Sequence, residues 1–172
     1  MRPRSIEVED AFPQRGIKRR ALPRRSLRLW SVRHAATLAA LYRVVERVLR
    51  GAHPVLARIG YNRLEWPVAA VEWTVKSALF DCRMCGQCIL STTGLSCPMN
   101  CPKGLRNGPC GGVRDDGSCE VHADMPCVWV DAYGGAQRMG AVARLSEVQP
   151  AIDRRKAGRS SWLQTARGDA AY

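Results

Sequence analysis

Aromatic residues are scarce, 6% of 172 positions with only two Phe, and histidine occurs three times. A core built from so few large rings is modest in extent, and little metal chemistry can rest on imidazole. Long apolar runs are missing as well: charge interrupts every hydrophobic stretch before the ~18 residues a membrane span needs, and no span is expected. There is no Gly-rich nucleotide fingerprint and no apolar signal region. The length falls short of a (β/α)₈ barrel, which takes ~250 residues. Cysteine is absent from positions 1–81 and again from 128 onward, so all eight thiols fall between Cys82 and Cys127. Scattered buried thiols do not cluster in this way.

Acidic residues are absent from Arg15 to Arg33, a stretch that carries eight Lys and Arg. The formal net charge of +12 comes almost wholly from the two ends of the chain. With little to bury there, residues 1–34 read as a basic, disordered tail. No nucleic-acid reading motif accompanies the charge, so nucleic acid is not an expected partner. Glu7, Glu9 and Asp10 spoil the acid-poor pattern of an organelle transit segment, which leaves the cytoplasm as the expected location.

Apolar residues Leu38, Leu41, Tyr42, Val45, Val48 and Leu49 recur at the helical period, and Arg43, Glu46, Arg47 and Arg50 take the opposite face. The pattern predicts a helix over 35–50, ended by Gly51 and Pro54. A second helix is expected from Glu65, with Pro67 in its first turn, through Val68, Val71, Val75 and Leu79; Glu72 and Lys76 form an i,i+4 pair. Residues 35–81 thus make a two-helix segment. Its apolar faces can pack on each other or on a partner. Between Cys82 and Cys127, seven Gly and four Pro leave no room for a helix or a central strand. After Tyr133 an amphipathic helix (Met139, Val142, Leu145) ends before Pro150, and Trp162 anchors the C-terminal stretch of 134–172. The expected fold is mainly α, with an irregular, metal-organised cysteine-rich loop region over 82–133 and few or no strands.

The cysteines are spaced Cys82-x2-Cys85-x2-Cys88-x8-Cys97-x3-Cys101-x8-Cys110-x8-Cys119-x7-Cys127. Disulfides are disfavoured, since residues three apart bridge poorly and nothing indicates export. Three thiolates from seven residues suit three corners of a cubane, and Cys97-Pro98 and Cys101-Pro102 carry the Cys-Pro dipeptide of ferredoxin runs. Eight thiolates complete two [4Fe-4S] clusters, one cluster plus one zinc, or two Cys₄ zinc sites, and the count leaves these open. Which cysteines share a centre also stays open. Arg83, Lys103, Arg106 and Asn107 are either solvated loop residues or donors that raise a cluster's potential; His122, three residues after Cys119, could replace a thiolate, but eight cysteines already fill two sites, so it is expected to hydrogen-bond to a ligand or face solvent; Trp129 packs over the site.

The stretch L-F-D-C-R-M-C-G-Q-C-I-L-S-T-T-G-L-S-C-P-M-N-C-P-K-G-L-R-N-G-P-C-G-G from Leu79, followed by D-G-S-C-E-V and M-P-C-V-W-V-D-A-Y, resembles the C-terminal-domain family of methylenetetrahydrofolate reductases. The likeness runs over 65–133, with S-S-W-L at 160–163 similar to the family's closing segment. It implies an accessory, non-catalytic subunit in one-carbon, folate metabolism, whose partner is the flavin-containing catalytic subunit, with the flavin on that partner only. An electron-transfer protein is a further implied partner. The family's cysteine positions map onto Cys82, Cys85, Cys88, Cys97, Cys101, Cys110, Cys119 and Cys127, with both iron–sulfur and zinc associated with it. No catalytic residue carries over.

Overall fold

The computed structural model describes residues 23–168. The expected basic tail therefore lies largely outside the described residues, but not entirely. Pro23–Arg33 forms a helix, α1, where the sequence reading placed tail. The reason is a buried stripe at helical spacing, Arg28, Ser31, Val32 and Ala35, in which half the residues are polar. Arg28 donates to Asp131 at 2.7 Å, and the Ser31 hydroxyl donates to the Leu79 carbonyl at 2.8 Å. These bonds pair the Ser31 hydroxyl and one Arg28 Nη, while Arg28 Nε stays buried without a partner.

After a break at His34, α2 runs Ala35–Gly51, as its periodicity predicts. Pro54 does not merely stop it. Sitting in a first turn, where its missing N–H costs nothing, it opens a short helix α3, His53–Ile59. The segment 35–81 therefore holds three helices instead of two. Gly60 (φ 97°) then starts α4, Tyr61–Phe80, four residues earlier than the sequence suggests. Pro67 consequently lies inside α4, on an exposed flank where water can reach the carbonyl it leaves unbonded.

The helix expected after Tyr133 is displaced toward the N-terminus: α5 spans Val128–Arg138. Met139 caps it, Gly140 (φ 65°) ends it, and Val142–Ser146 is a 3₁₀ turn. Small residues explain the placement. Gly135 meets the backbone of Gly94 so closely that a Cβ at either position would collide with main chain. The last helix, α6, Ser161–Arg167, is capped by the Ser160 hydroxyl, which accepts from the Leu163 amide at 3.2 Å. It packs against both α2 and α4, and α1 packs on α4 and α5.

The described residues contain no strand, only the isolated bridges Val113–Cys119 and Ser118–Pro126. The chain is mainly helical with an irregular cysteine-rich region, in agreement with the sequence. None of these helices is long and apolar enough to cross a membrane.

The orientation of α4 reverses ordinary amphipathicity. Glu72, Lys76 and Ser77 are buried, whereas Trp66, Val71, Trp73 and Val75 are exposed. The i,i+4 pair that reads as a solvated face is instead the inward face.

Candidate metal centre

All eight cysteines are free thiols. Cys82, Cys85, Cys88 and Cys97 line one cavity at the end of α4. Cys97 is thus the cysteine that shares this wall with the first triplet, a placement the spacing alone left open. Asp81 (φ 52°), Met84 (φ 46°) and Gly86 (φ 74°) take left-handed conformations that wrap the loop around this cavity. Gly86 is required twice over, since a Cβ there would also strike the Lys156 carbonyl. The Met84 amide donates to Cys82 Sγ at 3.3 Å, and the Met99 amide donates to the Cys97 thiol.

Cys97 ends a stretch, Thr92–Pro98, that is buried throughout although it is loop. It pairs its own polar groups. The Ile89 carbonyl accepts from the Thr92 and Thr93 amides and from both hydroxyls, at 2.8 to 3.1 Å, and the Ser96 hydroxyl donates to the Val128 carbonyl. Leu90, Leu95, Phe80 and Ala35 complete the apolar packing behind the thiols. On the other side the C-terminal segment straps the loop: Gly158 N–H to Met84 O at 2.8 Å, Gln164 Nε2 to Gly86 O at 2.8 Å, and Asp153 N–H to Gln87 Oε1 at 2.6 Å.

Two buried cations share this cavity wall with the exposed Arg159. Lys76 is 1% exposed; its Nζ donates to Glu72 at 2.7 Å, to Ser161 at 2.8 Å and to Tyr42 at 3.4 Å. Glu72 in turn accepts from the hydroxyls of Ser160 (2.6 Å) and Ser161 (2.5 Å) and from the Trp162 amide (3.1 Å). Burial works to lower the Lys76 pKa, but Cys88, Tyr42 and Glu72 outweigh it, and the ammonium is held more firmly than in water. Arg106 is 8% exposed. One Nη donates to the Gln87 carbonyl at 2.9 Å, while Nε and the other Nη are buried without a partner. Burial pushes the Cys82 thiol up to about 11, and raises Cys97 further. Both are therefore neutral thiols until a cation takes the proton's place.

The second set is built differently. Cys101, Cys110 and Cys127 pack against Trp129 and Ala132. The Cys119 amide donates to the Met125 carbonyl and the Cys127 amide to the Gly117 carbonyl, which lays the two cysteine-bearing segments side by side. The Gly112 amide points at Cys110 Sγ (3.5 Å), and Glu120, paired with Lys103, lies 3.9 Å from the same sulfur. Trp129 is 5% exposed and covers this set, as expected from the sequence. Among the loop residues singled out there, Arg83 and Asn100 tie the two cysteine loops together at 2.7 Å, Asn107 clamps Gln149 in both directions, and Lys103 is exposed; Arg106 alone is buried at the thiols. His122 is half-buried and stands away from the four-thiol cavity. Lys76 and Glu72 were missed in that role, because polar residues at helical spacing signal a solvated face. Among the described residues, no three His, Cys, Asp or Glu side chains converge as the ligands of a single ion would.

The family description "Methylene-tetrahydrofolate reductase C terminal" matches residues 61–155, over half of the chain. The chain belongs to this family. The matched segment opens with α4, contains every cysteine and closes just past α5 and its 3₁₀ turn, so the family's common part is the metal-site candidate with its helical supports. No curated protein and no solved structure matches the chain.

Proposed function

We propose that this chain is an accessory, non-catalytic subunit of a methylenetetrahydrofolate reductase, carrying two [4Fe-4S] clusters on its eight cysteines and working in the cytoplasm beside a flavin-bearing catalytic subunit. One observation carries the reading: four thiols and two buried cations, one with two unpartnered N–H groups, surround a single cavity. Unpartnered buried guanidinium donors call for an anionic acceptor, and thiolate and sulfide sulfur would provide it. Backbone amides aimed at Cys82, Cys97 and Cys110 suit the same group.

Bound here, such a centre would supply single electrons to or from a flavin on the partner. The chain's own residues hold it, neutralise its charge and screen it from water. The bare flank of α4, with Trp66, Val71 and Trp73 exposed, supports a partner surface.

The test is anaerobic purification of the full chain followed by metal and sulfide analysis and visible absorption. Roughly eight iron and eight sulfide per chain with a broad brown absorbance are expected. A colourless protein with two zinc and no iron would establish the rival reading, a structural zinc-binding docking module without redox role.

A further inference from the structure

Lys76 and Arg106 reach the four-cysteine cavity from opposite directions in the sequence and are both withdrawn from water. Lysine and arginine are rarely buried to this degree unless an anion compensates them. Lys76 has one such anion, the Glu72 carboxylate, but Glu72 is itself supplied with three further donors, from Ser160, Ser161 and Trp162. Those donors spread the carboxylate's charge away from Lys76 and leave the ammonium's field available to the thiols. Arg106 has no carboxylate at all; its single bond is to a backbone carbonyl.

We infer that Lys76 and Arg106 form a cationic clamp on the Cys82, Cys85, Cys88 and Cys97 centre and set its reduction potential, with Glu72, Ser160 and Ser161 as positioning residues that hold Lys76 in place. The inference rests on the iron–sulfur reading above. Its physics is Coulombic. Reduction adds one negative charge to an already anionic group, and fixed cations at low dielectric stabilise the reduced form more than the oxidised one. The second set, with Glu120 beside Cys110 and the neighbouring cations Lys103 and Arg114 both exposed, lacks this arrangement.

The experiment is an EPR-monitored redox titration of the full chain, with dithionite supplying the electron. Arg106→Gln is expected to lower the midpoint of one centre enough to cut the reduced-to-oxidised ratio at the wild-type midpoint about tenfold, 59 mV for a one-electron couple. Arg106→Lys, which keeps the charge, should restore it. Lys76→Met should lower the same midpoint further, because it leaves Glu72 facing the centre. Should that variant not fold, the paired change Lys76→Met with Glu72→Gln removes both charges, and a smaller fall is expected. Iron-loaded Arg106→Gln and paired variants with unmoved midpoints overturn this inference alone. A chain that takes up zinc and no iron overturns it together with the reading beneath it.

Discussion

The cysteines come from one continuous loop region yet sit in two unlike surroundings. The first is enclosed by the inward flank of α4, a self-satisfied buried loop and the C-terminal segment, and has two buried cations at its wall. The second rests on α5, is shaped by two isolated bridges, and has the exposed Glu120–Lys103 pair beside Cys110. Equal ligand counts thus hide unequal electrostatics. The lesson is that cysteine spacing prescribes how many thiols assemble, while the helices supplied by the rest of the chain decide what those thiols can do.

The contrast is broken most severely by deleting a ligand. Cys97→Ser is expected to remove about half the iron along with the higher-potential signal, and Cys110→Ser the other half with the lower-potential signal, as read by metal analysis and EPR. Identical residual spectra would show the two sets to be equivalent. Next comes stability. Lys76→Ala or Glu72→Ala leaves a buried charge unpaired and should cost about 3–5 kcal/mol in denaturant unfolding, whereas Glu120→Ala, which breaks a half-exposed pair at the second set, should cost no more than about 1 kcal/mol.

Glycine substitutions sharpen the same difference. Gly86→Ala meets the Lys156 carbonyl and an unfavourable φ, for a loss of about 1–3 kcal/mol; Gly111→Ala, with open space around it, should be near neutral. Trp66→Asp with Trp73→Asp should abolish co-purification with the reductase's catalytic chain while changing stability by less than about 0.5 kcal/mol per site. Retained association would move the docking face elsewhere. The smallest effect concerns Asp153, whose carboxyl is lowered to about 2 by hydrogen bonds from the Arg155 side chain and amide. Because the folded value lies below the unfolded one of ~3.9, its contribution is complete above that pH and fades as pH falls through about 2. An NMR titration midpoint near 4 would contradict this.

Much of the site was legible because ligand chemistry is written in residue identity: the eight cysteines, the Cys-Pro steps and the glycine turns need no tertiary information. α2 was legible as a helix from its apolar period, although Leu41 and Val48 of that stripe are exposed and Ala35 and Ala39 are the residues it buries. What stayed hidden involves polar residues facing inward. The buried stripe of α1 contains Arg28 and Ser31, and α4 turns Glu72 and Lys76 toward the core, so periodicity points each helix the wrong way round or overlooks it. α5 was misplaced because Gly134 and Gly135 depress helix propensity, although close packing on Gly94 is what requires Gly135. Trp162 does mark the C-terminal anchor, but Ser160 and Ser161 make the specific bonds to Glu72.

Those two serines have a consequence for assembly. Synthesis delivers Glu72 and Lys76 some 85 residues before Ser161, the hydroxyl that bonds both. Arg159 and Ser161 also belong to the wall around Cys82, Cys85, Cys88 and Cys97. The nascent chain therefore emerges with its first thiol set open on one side and its buried charges still wet, and the cavity is sealed only when α6 arrives.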